Sequence, residues 1–277
     1  MTQALTPLIA CIGGGNMASA ILGGLVGQGV APDQLTVVEP FEPARAALRQ
    51  RWGIDAKPDA LAAATTLAHA DLVIWAVKPQ VFREAAQPVA PHVRAALQLS
   101  VAAGIPSASI ARWLGTERVV RAMPNMPALI GQGISGLYAR AGVSGADRAQ
   151  IERVIGTTGE FLWLDDESLL DAVTALSGSG PAYVFLFLDA MVQAGTKMGL
   201  TAEQSQRLAL ATFRGATELA SRSDETPEVL RQRVTSKGGT THAAITHMQS
   251  TRLPEHFIEA LEAAQRRARE LAAEFGA

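Results

Sequence analysis

The chain has 277 residues, of which 48% are apolar, with a formal net charge of −2 and one cysteine. That length and apolar content suit one large domain or two ordinary ones with a sizeable core, which excludes a disordered chain. Scattered Lys and Arg at near-neutral charge exclude nucleic acid as the main partner, and the lone Cys11 excludes a disulfide framework or a multi-cysteine zinc site.

The N-terminus, Met1-Thr2-Gln3-Ala4, carries no basic region, and the apolar run Leu8–Ile12 is too short for a secretory signal. β-rich runs at Leu8–Ile12, Leu35–Val38, Leu72–Ala76, Leu97–Val101 and Val119–Met123 alternate with helical patterns. The helices fall near Met17–Gln28, Glu42–Trp52, Gln80–His92 and Ser107–Trp113. Such alternation predicts βαβ units and a mostly parallel sheet. Ile134–Ala139 and Glu160–Leu164, flanking a helix near Gly145–Gly156, extend that sheet. Cys11 lies in an apolar strand and reads as a buried structural thiol.

After Asp165 the pattern becomes almost wholly helical. The expected division is therefore an α/β domain over 1–165 and an all-α domain over 166–277. Pro181–Met198 is apolar nearly all round and reads as buried on every side. Its longest apolar stretch, Tyr183–Leu188, is broken by Asp189, short of the roughly 20 residues a membrane helix needs. A soluble cytoplasmic protein with no membrane partner is expected. A helix over Thr201–Ser221 follows. Thr226-Pro227 opens another helix, with Thr226 as cap and Pro227 at the first position. The last helix, Pro254–Phe275, carries the stripe Phe257, Leu261, Ala264, Ala268, Leu271 and Phe275. Helices with this much apolar surface associate between chains, so a homodimer is expected.

The segment Ile12-Gly13-Gly14-Gly15-Asn16-Met17-Ala18 matches G-x-G-x-x-A between a strand and a helix, close to the N-terminus. Gly13 permits the tight turn, Gly15 admits the pyrophosphate to the backbone, and Ala18 lets helix and strand pack closely. The helix N-terminus then offers N–H groups to the phosphates. Glu39 ends the second strand, where an acidic residue accepts from the adenosine ribose, while Arg45 downstream is placed to meet a 2′-phosphate. The choice between NADH and NADPH stays open on these residues. Ala76-Val77-Lys78-Pro79 and Ala102-Ala103-Gly104 follow two further strands, at the edge where parallel sheets bind ligands.

Ser236-Lys237-Gly238-Gly239-Thr240-Thr241 separates two helices. It reads as an interhelix loop with a capping threonine, or as a helix N-terminus suited to a small carboxylate. Leu176-Ser177-Gly178-Ser179-Gly180-Pro181 reads as a close helix contact. His242 and His247 do not share a helical face, and no carboxylate cluster has metal-ligand spacing, so no metal is expected. No G-x-S-x-G elbow supports hydrolase chemistry.

Together these pieces resemble pyrroline-5-carboxylate reductase over essentially the whole chain. The resemblance rests on Ile12–Ala18, Ala76–Pro79, Asp171–Tyr183 and Val234–Ala244. It implies a Rossmann-type domain followed by a helical substrate-binding and dimerisation domain. It implies reduction of 1-pyrroline-5-carboxylate to L-proline by NADPH or NADH, the last step of proline biosynthesis. It also implies that the helical domain of one subunit completes its partner's site, and that homodimers assemble further, into a decamer of dimers. Gly13, Gly15, Asn16, Met17 and Ala18 would hold the pyrophosphate. Glu39, Val77, Lys78, Pro79, Ala102 and Ala103 would line the cofactor. Ser236, Gly238, Gly239, Thr240 and Thr241 would bind the substrate, its carboxylate on N–H groups of the last three. The catalytic Thr241 hydroxyl would meet the ring nitrogen, and Glu167 matches a carboxylate that touches substrate in relatives.

The chain departs from many members at Lys237, where they carry proline, and at Ala62-Ala63-Ala64, where they carry an asparagine. One rival is a β-hydroxyacid-type dehydrogenase, whose catalytic lysine is missing from Tyr183–Ala194, with Lys197 too late. The other is a non-catalytic NADP-binding redox sensor, which the intact threonine turn argues against.

Overall fold

The computed structural model describes residues 7–276, so the reading of Met1–Ala4 lies outside the described residues. Seven strands form one sheet: β1 (Ile9–Ile12), β2 (Leu35–Val38), β3 (Leu72–Trp75), β4 (Leu97–Ser100), β5 (Val119–Met123), β6 (Gly133–Ala139) and β7 (Gly159–Trp163). Their order is β2-β1-β3-β4-β5-β6-β7, and every pairing is parallel except β5 with β6. The connecting helices are α1 (Asn16–Gly27), α2 (Glu42–Trp52), the short α3 (Ala64–Leu67), α4 (Phe82–Val93), α5 (Ser107–Leu114) and α6 (Gly145–Ile155).

The central strands are apolar throughout because helices cover both faces of a parallel sheet. β1 and β3 are buried at every residue. Successive side chains alternate between two cores. Ile9, Cys11, Leu72 and Ile74 meet Ile21 and Leu22 of α1, Leu48 of α2 and Ile151 of α6. Ala10, Ile12, Val73 and Trp75 meet Phe82 of α4 and Ile110 of α5 on the other face. The buried Gln98 in β4 is fully partnered. Its Oε1 accepts from Trp75 Nε1 at 2.9 Å, and its Nε2 donates to the carbonyls of Val93 (2.8 Å) and Ala96 (3.0 Å).

After β7 the chain is helical: α7 (Leu169–Val173), α8 (Gly180–Lys197), α9 (Ala202–Ser221), α10 (Pro227–Arg233), α11 (Thr240–Ser250) and α12 (Leu253–Phe275). A π-helical turn, Thr174–Gly178, joins α7 to α8. Thr226 caps α10, accepting from Val229 N–H at 3.4 Å. By contact the chain forms two compact units. One comprises residues 1–179 with 264–277, and the other is Gly180–Ala263. Within the first, the end of α12 returns to the sheet: the half-buried Phe275 packs against the core of Trp75, Phe82 and Ile110, Leu271 lies on Gly104, and the Gly276 carbonyl accepts from Ser109 Oγ and Arg112.

Two expectations about α8 are corrected. Within its helix only Gly195 is buried, and Phe185 and Leu186 are 54% and 66% exposed. The helix packs against α9 and sets Tyr183 and Phe187 edge-on to Phe257 of α12, while Phe185 and Leu186 stay uncovered in the single chain. Moreover, because α7, the π turn and α8 run on without a break, the helical run Leu169–Lys197 is long and apolar enough to cross a membrane by length and composition alone.

Candidate active site

The glycine turn sits where β1 ends. Gly13 adopts φ +99°, and a Cβ there would lie 2.6 Å from the Ala76 carbonyl oxygen. Its N–H donates to the Val38 carbonyl at 2.8 Å, so the turn is stitched between β2 and β3. Gly15 is different: a Cβ there would meet no atom within 4 Å, so packing alone does not demand glycine. Gly15 also caps α1, whose first turn has no side-chain cap and no acidic residue. A bare helix N-terminus of this kind attracts an anion. Asn16 stands open in that turn, Met17 is half-buried against the core, and Ala18 is fully buried.

A cleft of about 620 Å³ opens over the carboxyl ends of β1, β2 and β3. Gly13, Gly15, Glu39, Val77 and Lys78 line it, with Pro58, Asp59 and Glu84 from segments that the sequence did not single out. The open space beside Gly15 and the uncapped helix fit a dinucleotide pyrophosphate. Pro79 opens a short 3-10 turn into α4. Ala102 is buried and Ala103 half-buried after β4. Glu39 is not a free acceptor: its carboxylate takes the N–H of Gly14 and of Phe41, both at 2.7 Å. Arg45 Nη1 donates to the carbonyls of Glu39 (3.0 Å) and Pro40 (2.7 Å). Cys11 is fully buried, and burial, with the Glu39 charge nearby, pushes its thiol up to about 12. An inert structural thiol follows.

Glu167 belongs to a network at the β4–β5 side of the same edge. Its oxygens accept from Ser107 N–H (2.6 Å), Ser107 Oγ (2.5 Å) and Arg121 Nη1 (2.7 Å), while Arg140 donates to Ser107 Oγ. Burial works against its charge, but these donors prevail and hold the carboxyl below its ordinary value of 4.5. For neighbouring Asp171, burial outweighs Arg121 and Arg269 and pushes the carboxyl up. Sequence reasoning missed Arg121. The available signal was a charged residue inside the apolar strand β5, since a buried charge must be paired.

This network sets a pH dependence. A carboxyl held low in the fold adds stability that is complete above its unfolded value and is lost as pH falls through the folded one. Urea midpoints measured against pH are expected to fall more steeply below the ordinary carboxylate range for the wild type than for Glu167→Gln. Parallel curves would remove Glu167 as the cause.

The threonine turn lies in the helical unit. Gly238 adopts φ +77°, and the N-cap of α11 is Gly239, with no side-chain cap. This corrects the expectation that a threonine caps the helix: Thr240 and Thr241 occupy its first two positions. The Gly239 N–H donates to the Ser236 carbonyl at 3.0 Å, leaving the N–H groups of Thr240 and Thr241 at the helix entrance. Among the described residues the Thr241 hydroxyl has no hydrogen-bond partner. Threonines deeper in these helices bond back four residues, as Thr196 and Thr217 do to Val192 and Phe213. No helical carbonyl stands four residues before Thr241. His242 is exposed. No group of three His, Cys, Asp or Glu able to hold a metal occurs among the described residues.

A doubly wound sheet with this turn and cleft defines a dinucleotide-binding protein. Residues 167–271 match the family described as pyrroline-5-carboxylate reductase dimerisation, and residues 8–104 match NADP oxidoreductase, coenzyme F420-dependent. A pyrroline-5-carboxylate reductase of Pseudomonas aeruginosa is 47% identical over 98% of this chain and 99% of its own. The solved structure of a Coxiella burnetii pyrroline-5-carboxylate reductase superposes with a TM-score of 0.87 at 35% identity, covering 96% of this chain and 99% of that one. A Plasmodium falciparum pyrroline carboxylate reductase with NADP bound gives 0.86 at 25% identity, over 96% and 98%. The chain belongs to the pyrroline-5-carboxylate reductase family and is an NAD(P)H-dependent oxidoreductase.

Proposed function

We propose that this chain reduces the C=N bond of 1-pyrroline-5-carboxylate to give L-proline, the last step of proline biosynthesis. The observation that carries the reading is the uncapped entrance of α11 with its unpartnered Thr241 hydroxyl, in a chain of this family. Residues 1–165 hold the cofactor and 166–277 bind substrate and form the dimer. Bound NADPH or NADH supplies the hydride. Gly13, Gly15, Asn16, Met17 and Ala18 shape the pyrophosphate seat, with Asn16 and Met17 offering its free N–H groups. Glu39, Val77, Lys78, Pro79, Ala102 and Ala103 line the cofactor's path.

The substrate carboxylate sits at the N–H groups of Thr240 and Thr241, with Ser236, Gly238 and Gly239 shaping the turn. The Thr241 hydroxyl donates to the ring nitrogen. A protonated imine is already electrophilic, so orientation accounts for most of the rate. Glu167 acts by holding Ser107 and Arg121, because its oxygens are already partnered. The purified protein is expected to consume reduced nicotinamide, followed by its absorbance, only when 1-pyrroline-5-carboxylate is present. No consumption with either NADPH or NADH would overturn the reading.

We read the exposed apolar faces of α8 and α9 as the homodimer interface, since patches of this kind mark association. The chain is accordingly a soluble cytoplasmic homodimer that assembles further. Leu186→Glu is expected to convert the assembly to monomer in analytical ultracentrifugation. An unchanged sedimentation profile would move the interface elsewhere.

A further inference from the structure

We propose that the cleft discriminates against a 2′-phosphate, so that this chain prefers NADH to NADPH, with Glu39 as the specificity-determining residue. The inference rests on reading the cleft as the cofactor's adenosine half. In a doubly wound sheet the adenosine ribose lies where the second strand ends, and here that position is Glu39. The carboxylate is fixed there, because Gly14 and Phe41 N–H groups both hold it at 2.7 Å. It cannot swing aside for a second anion without releasing the glycine turn. A carboxylate has about four acceptor sites, so two donors leave room for ribose hydroxyls.

The surrounding charge points the same way. Asp59 and Glu84 line the cleft with Glu39, and Lys78 is the one cation among its lining residues. Asp59 is also anchored, accepting from Ala62 N–H at 2.8 Å. Arg45, the arginine nearest to Glu39 in sequence, does not line the cleft. Its Nη1 is held by two main-chain carbonyls. A phosphate monoester carrying about −1.5 to −2 charges would therefore enter a cleft lined by three carboxylates against one ammonium. Ribose hydroxyls at the same place are donors to Glu39.

Equilibrium titration of the purified protein with NADH and NADPH, read by calorimetry, tests this without turnover. At low salt the NADPH Kd is expected to exceed the NADH Kd at least about tenfold. The ratio shrinks at about 0.5 M salt, where the Debye length falls to a few ångströms. Glu84→Gln, which removes a cleft charge that makes no hydrogen bond across to the glycine turn, is expected to lower the ratio several-fold. NADPH binding as tightly as NADH overturns the proposal and leaves the cleft reading standing. So does an Arg45→Gln variant that loses NADPH but keeps NADH. Failure of both nucleotides to bind sinks the cleft reading and the proposal with it.

Discussion

Replacing Thr241 with alanine is expected to lower kcat about 100-fold while the Kd for reduced nicotinamide stays unchanged. That ratio corresponds to about 2.7 kcal/mol of transition-state stabilisation. The hydroxyl has no partner among the described residues, so its removal leaves no buried group there unpaired. Stability is therefore expected to change by less than about 0.5 kcal/mol. Thr241→Ser keeps the donor and is expected to recover most of the turnover. Steady-state kinetics unchanged in the alanine variant would remove Thr241 from the reaction. A loss of cofactor affinity would place its role elsewhere.

The second large effect separates two glycines, Gly13 and Gly15, that stand only two residues apart. Gly13→Ala forces a side chain onto a φ of +99° and against the Ala76 carbonyl, 2.6 Å away. Such strain costs about 3 kcal/mol, and the clash adds to it. Both the urea midpoint and dinucleotide binding are expected to collapse. Gly15→Ala meets no atom and keeps an ordinary φ of −73°. Its midpoint is expected to hold while NADH affinity falls at least about tenfold, because the methyl enters the pyrophosphate's approach. Equal stability loss in both variants would refute the distinction. Wild-type affinity in Gly15→Ala would refute the seat itself.

The sheet was legible in the sequence for a physical reason. Strands buried on both faces leave uninterrupted apolar runs, as in Leu72–Trp75, and β5 ends at Met123 as read. The glycine turn was legible because its steric demands are local. What stayed hidden depends on distant partners. Glu167 reaches Ser107 across 60 residues and Arg121 across 46. The fixing of Glu39 by the Gly14 N–H was also hidden, because nothing in its own segment reveals a donor 25 residues away. The largely apolar α8 read as a core helix because composition alone does not say whether an apolar face is covered within the chain. The threonines of α11 looked like caps because capping residues and first-turn residues differ by a single step in register, which only the backbone angles of Gly239 decide.

The return of α12 to the sheet makes the chain's two units discontinuous in sequence. Gly180–Ala263 is an insertion between two parts of one body, not a tail hung on its end. No single cut yields the sheet-bearing unit whole. A fragment ending at Ser179 would lack the helix end that packs Phe275 against the core and lays Leu271 over Gly104. Recombining this domain with another helical module therefore requires two junctions, one on each side of the insert. The second junction would have to preserve the bonds by which the Gly276 carbonyl holds α5.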